Sequence, residues 1–143
     1  MTDGAPFDDS DPQALAALLG QHMGALAGRM GIVLTHASRE HLRATMPVDG
    51  NTQPMGLLHG GASAVLAETL GSVHSFLVAG PGMAVVGLDL SCTHHRGVRD
   101  GLVLAESSIL SAGRTISATE IRIRDEQGRP VCTSRLTCLL RPA

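Results

Sequence analysis

Between Gln53 and Val78 the chain reads QPMGLLHGGASAVLAETLGSVHSFLV, with a single carboxylate, Glu68, near its middle. From Leu57 to Val78 the only ionisable side chains are His59, Glu68 and His74. A carboxylate in such an apolar helix is costly to bury unless a partner or a reaction uses it. Glu68 therefore reads as a nucleophile or general base, its pKa raised by apolar surroundings. The plainer alternative is a carboxylate at a subunit edge or paired with an arginine. Ser72 follows four residues later on the same helical face, where its hydroxyl would hold Glu68 or a water. Taken alone, Ser72 is better explained as a small residue chosen for close packing.

His59-Gly60-Gly61 opens this helix. The first N–H groups of a helix lack internal acceptors and carry the positive end of its dipole. Glycine lets a ligand approach that backbone, so Gly60 suits an oxyanion or a polarised carbonyl oxygen. A tight entry turn needs the same glycines. His59 is a candidate for orienting the loop or binding substrate, or simply for capping the helix. Gln53 is a candidate for positioning water or a substrate carbonyl. His94, His95, Arg96, Arg99 and Arg114 place positive charge near strand ends, suited to phosphate groups. No metal site is expected, because no H-E-x-x-H run and no paired cysteine spacing occurs. A serine-hydrolase elbow fails at Gly61-Ala62-Ser63-Ala64-Val65, which lacks its second glycine.

Gly60 and Glu68 are eight residues apart, about 12 Å of helix at ~1.5 Å per residue. One small reacting group cannot touch both in one chain. If both act, the helix start of one subunit meets Glu68 of another, and the protein is at least a dimer.

Composition bounds the elements that must hold these groups. The 143 residues fit one domain with one core, 43% hydrophobic and 17% charged. A net charge of −2 without a basic tract argues against nucleic acid or an anionic membrane as partner. Phe7 and Phe76 are the only aromatic residues, too few to stack bases. Every basic side chain other than histidine is arginine, which removes lysine Schiff-base chemistry. No apolar run reaches the ~18 residues of a membrane span without polar interruption, and no signal peptide is evident. Cys92, Cys132 and Cys138 are scattered, which suits reduced thiols in a cytoplasmic protein.

Residues 1–11 read as a flexible acidic leader and 12–143 as the domain. Asp11-Pro12 predicts a capped helix start, and Leu15, Leu18, Leu19, Met23 and Leu26 predict one amphipathic helix over 12–28. Short strands follow at 32–34 and 40–46. The central helix is expected over 58–78, stopping before Gly80-Pro81-Gly82. Four strand-like runs come after it, at 84–95, 101–112, 114–124 and 129–140. Their short connections predict antiparallel neighbours throughout. In the last run Cys132, Ser134, Leu136, Cys138 and Leu140 share one face. The expected fold is α+β, an antiparallel sheet curled round one buried helix.

The run Q-P-x-G-L-L-H-G-G-A-S-x-V-L-A-E-x-x-G-S over Gln53–Ser72 resembles the hotdog-fold acyl-CoA thioesterases. Within them it is similar to the bacterial branch that includes 1,4-dihydroxy-2-naphthoyl-CoA thioesterase, 4-hydroxybenzoyl-CoA thioesterase and the enterobactin-pathway proofreading thioesterase. The similarity extends through Ala44–Asp49, Val85–Gly87, Thr93–Arg96 and Ser134–Thr137, most of the chain after about residue 40. The resemblance implies that Glu68 is the catalytic carboxylate, Gly60 the N–H that polarises the thioester, and Gln53 and His59 its neighbours. It implies that Ser72 assists Glu68 on the facing subunit. It assigns Gly87, His94–Gly97 and Ser111–Ile116 to the coenzyme A channel, including His95, Arg96, Gly113, Arg114 and Thr115. It implies an aromatic or similar acyl-CoA substrate, no cofactor beyond the CoA of that substrate, and a tetramer of two dimers. Gly97 departs from the Pro or Ser of some relatives, and Gly113-Arg114-Thr115 resembles phenylacetate-type thioesterases, so the acyl group stays open. A hotdog hydratase or dehydratase using His59 and Glu68, and a non-catalytic acyl-CoA-binding module, are the competing readings.

Overall fold

The central helix, α3 (Gly60–Ala79), begins where the His59 imidazole accepts a hydrogen bond from Gly61 N–H and ends at Gly80, whose φ of 90° only glycine adopts readily. The computed structural model describes residues 7–143. The other elements are α1 (Pro12–Gly20), α2 (Ala25–Arg29), β1 (Val33–Ala37), β2 (His41–Pro47), β3 (Met83–His94), β4 (Leu102–Ala112), β5 (Ile116–Asp125) and β6 (Pro130–Pro142). The six strands form one sheet in the order β1-β2-β4-β5-β6-β3, every pair antiparallel. The sheet curls around α3, which packs against β2, β3, β4, β5 and β6. This is the expected α+β architecture. By length and composition α3 would also cross a membrane, but half of that window lies buried as the core helix.

Two expectations need correction. The helix predicted over 12–28 is two helices. Asp11 caps α1 through Ala14 N–H, as Asp11-Pro12 implied. The helix then stops at Gly20, and Gly24 takes a φ of 87° that a continuing helix cannot accommodate. The second correction concerns β3 and β4, which are not neighbours. The chain from His95 to Gly101 crosses beside the entry of α3, where Val98 O accepts from Leu58 N–H. β3 pairs instead with β6, at the far edge of the sheet. A curled sheet lets a short crossing reach a strand that is distant in strand order. The expectation holds for β4–β5 and β5–β6.

Of the acidic leader, residues 1–6 lie outside the described residues. Residues 7–11 are tied to the domain. The Phe7 and Phe76 rings are 5.4 Å apart and tilted, and the Asp9 carboxylate accepts from Arg39 N–H at 3.0 Å. In β6 the predicted face of Cys132, Ser134, Leu136, Cys138 and Leu140 is buried.

α3 packs tightly on the sheet at Gly71. A Cβ there would lie 2.7 Å from Thr119 Oγ1 and 2.9 Å from Leu136 Cδ2. Gly71→Ala gains about 1 kcal/mol of helix propensity but overpacks a full core at a cost of about 1–3 kcal/mol. A net loss of up to about 2 kcal/mol is expected in urea unfolding. A stabilised variant would show that α3 can lift off the sheet.

His74 is fully buried on the same face, bonded through Nδ1 to Ser107 Oγ and through Nε2 to Arg39 O, both at 3.0 Å. A carbonyl only accepts, so Nε2 carries a proton. Burial lowers its pKa below the usual histidine value, partly offset by the Arg39 carbonyl and reinforced by His41. The unfolded ring thus takes up a proton at a pH where the folded ring stays neutral. Stability is expected to fall as pH drops below about 6.5, by up to about 1.4 kcal/mol per unit until the folded ring itself titrates. Urea midpoints between pH 8 and 5 would show this slope, and His74→Gln would flatten it.

Candidate active site

The loop ahead of α3 is fixed by backbone and amide bonds. Asn51 Nδ2 donates to Met30 O and Pro47 O, both at 2.8 Å, and Asn51 O accepts from His59 N–H. Nothing in the sequence singled out Asn51 as this clamp. Gln53 folds back on its own turn: its N–H donates to Leu57 O, and its side-chain oxygen accepts from Met55 N–H. Its amide therefore serves the loop in this conformation. His59 accepts from Gly61 N–H at 2.8 Å, and its backbone oxygen accepts from Ala62 and Ser63.

These bonds leave one donor over. The N–H groups of Leu58, His59, Gly61, Ala62 and Ser63 all have acceptors, whereas Gly60 N–H has none among the described residues. The His94 ring lies beside it, with Nε2 and Cε1 each 3.1 Å from where a Gly60 Cβ would stand. A larger residue at 60 would collide with that imidazole. The start of α3 thus presents a free, dipole-enhanced N–H next to a histidine.

Glu68 lies about two turns further on. In one chain Glu68 is exposed rather than buried. None of the ion pairs among the described residues involves it. Its Oε1 hangs over Gly87, 3.0 Å from the position of a Cβ there, so the glycine makes room for the carboxylate. Ser72 is half-buried one turn along and lines the same cavity of about 780 Å³. Cys138, paired with Gly87 in the β3–β6 ladder, is buried beneath. Burial pushes its thiol pKa up, opposed by the Ser75 and Ser72 hydroxyls and aided by the Glu68 charge. That thiol stays protonated and is not a competing nucleophile.

The candidate channel residues divide between the two ends of the sheet. His95 N–H donates to Val131 O and its ring bonds Thr133 Oγ1 at 2.9 Å. Arg96 lies nearby in a cleft shared with Arg99, Asp100 and the Asp125–Arg129 ion pair. Gly113, Arg114 and Thr115 form the β4–β5 turn, where Thr115 O accepts from Leu140 N–H. Val131 and Leu140 are nine residues apart on β6, about 30 Å at ~3.3 Å per residue. The structure therefore brings together Glu68, Ser72 and Gly87 at one place, and His59, Gly60 and His94 at another. β3 ends the sheet, with its outer edge unpaired among the described residues and Val86 and Leu88 exposed. A long unpaired edge is a template for a second strand.

Comparison with known proteins gives this arrangement its context. The thioesterase superfamily model matches residues 55–132. The proofreading thioesterase EntH of Cronobacter sakazakii is 50% identical over 124 residues, covering 86% of this chain and 90% of that protein. The crystal structure of a Haemophilus influenzae thioesterase superposes with a TM-score of 0.83 at 36% identity, covering 99% of this chain and 96% of that one. A hypothetical thioesterase from Streptococcus pneumoniae, crystallised with coenzyme A, shares the fold at 20% identity and a TM-score of 0.76, covering 85% of this chain and 94% of that one. The antiparallel sheet wrapped on α3 is the hotdog fold of these proteins, and the chain belongs to the thioesterase superfamily as a thioester hydrolase.

Proposed function

We propose that the protein hydrolyses acyl-CoA thioesters, aromatic ones foremost, in a site shared between two copies. The observation that carries this reading is the acceptor-less N–H of Gly60 at one end of an apolar helix whose one carboxylate, Glu68, stands unpaired about two turns away. Gly60 N–H donates to the thioester carbonyl oxygen and stabilises the negative charge that develops there. Glu68 of the partner subunit attacks the carbonyl carbon, or takes a proton from a water that does. The carbon–sulfur bond breaks, coenzyme A leaves as thiolate, and water supplies the oxygen and protons of the free acid and thiol.

Antiparallel pairing of two β3 edges would serve this chemistry. It sets the His94 end of one copy against the Gly87 region of the other, with the two-fold near Leu90. It also turns the Gly113–Thr115 loop of one copy toward the His94–Arg96 corner of the other. Exposed Leu102, Leu104 and Leu110 supply a further apolar surface for association of dimers into a tetramer. The free thiols of Cys92, Cys132 and Cys138 support a reducing, cytoplasmic setting. The hydratase alternative is weakened by His59, whose Nδ1 is already engaged in accepting from Gly61 N–H.

The test is thiol release from a panel of 4-hydroxybenzoyl-, 1,4-dihydroxy-2-naphthoyl-, phenylacetyl- and medium-chain aliphatic CoA esters. Turnover is expected, highest on the aromatic esters. Water addition to an enoyl-CoA with no thiol released from any ester would overturn the reading.

A further inference from the structure

The cavity beside Glu68 has a far wall that the hydrolytic step does not use. On one side α3 presents Val65, Glu68, Ser72, Val73 and Phe76. Facing them, the elbow between α1 and α2 presents Leu19, His22, Met23 and Leu26. Glu68 and Phe76 are about 12 Å apart along α3. An acyl group held at Glu68 by its carbonyl would extend into the cavity that the elbow residues line. About 780 Å³ is within the usual range for a small-molecule site.

The elbow walls are aliphatic and thioether, with one exception. His22 is exposed, and its backbone N–H closes the turn on Leu19 O. The histidine rings that make hydrogen bonds are those of His59, His74 and His95, and His22 is not among them. Its imidazole offers a donor and an acceptor to the cavity. The elbow owes its shape to the helix break at Gly20–Gly24, and Phe7 packs against Phe76 of the cavity lining.

We infer that the α1–α2 elbow is the acyl-selecting wall of the site and that His22 is a specificity residue for acyl groups with a hydrogen-bonding substituent, such as a ring hydroxyl, distal to the thioester. The inference rests on the hydrolase reading above. A polar substituent that reaches the elbow exchanges water for the imidazole, whereas the unsubstituted ring leaves the imidazole to water. Sites built to bond a hydroxyl discriminate against the analogue that lacks it.

The experiment compares kcat/KM for 4-hydroxybenzoyl-CoA and benzoyl-CoA in the natural protein, His22→Leu and His22→Gln. His22→Leu is expected to lower the value for the hydroxylated ester about 10-fold and that for benzoyl-CoA less than about 2-fold. His22→Gln, which keeps a donor and an acceptor, should recover much of the ratio. In parallel, Leu26→Trp should fill the elbow and penalise the naphthoyl ester at least about 10-fold more than acetyl-CoA. A hydroxyl preference unchanged in His22→Leu, or equal losses on both esters, overturns the role of His22. Equal losses on large and small esters in Leu26→Trp overturn the elbow as the selecting wall. No thiol release by the natural protein from any ester overturns the hydrolase reading itself, a distinct result.

Discussion

Glu68→Gln is expected to lower kcat for thiol release at least about 10³-fold while leaving the protein as stable as before. The two halves of this expectation come from different features of the same residue. Stability is spared because the side chain is exposed in the chain and makes no ion pair among the described residues. Exposed substitutions of this kind usually fall within about ±0.5 kcal/mol. Glutamine also matches the shape of glutamate, so the close approach over Gly87 persists. Turnover is lost because an amide neither attacks a carbonyl carbon nor takes a proton from water. Binding of the ester, which depends on the cavity and on the corner near His94, should change little, so KM is expected to stay within a few-fold. A thiol-release assay beside a urea titration reads both quantities. Turnover near normal in Glu68→Gln would remove Glu68 from the chemistry, whatever the fold.

Much of this arrangement is legible in the residues themselves. Alternation in β6 and the glycine-rich stops around α3 follow from side-chain geometry and backbone freedom, which are local properties. The spacing of Gly60 and Glu68 follows from helix rise alone, and with it the condition that both act on one group only if a second copy is present. What is not legible depends on partners distant in the chain. The break after Gly20 competes with an apolar stripe that continues through Met23 and Leu26, so periodicity alone predicts one helix. The pairing of β3 with β6 depends on how far the sheet curls, which no short window of sequence records. His74 and Glu68 look alike as isolated ionisable groups on one helix. The first is a core residue bonded to Ser107 and Arg39, and the second stands in the open. Only the direction in which each side chain leaves the helix separates them, and that is set by the sheet. Asn51 was hidden for a related reason: turn residues often cap or clamp, but the carbonyls they clamp come from elsewhere in the chain.

A mixture of two inactive variants should regain activity if the site is shared. Gly60→Pro removes the free N–H by the mildest available means. Proline is tolerated at the first helical position, and His59 already has the extended backbone, φ −67° and ψ 130°, that suits a residue before proline. A Cβ at 60 stands 3.1 Å from the His94 ring, so that ring must move aside to admit the proline. Loss of one oxyanion donor is expected to cost about 10²–10³-fold in kcat. Glu68→Gln alone is inactive for the reason argued above. In a dimer that carries one of each variant, one site combines the altered Gly60 with the altered Glu68 and is dead. The other combines an intact Gly60 from one subunit with an intact Glu68 from its partner. After unfolding and refolding at equal concentration, half of the dimers are mixed, so activity should recover to about a quarter of the natural level. Mixing without subunit exchange should restore nothing, which controls for contamination. If the refolded mixture stays as inactive as its components, Gly60 and Glu68 do not act together across an interface, and the 12 Å between them along α3 must be bridged within one chain.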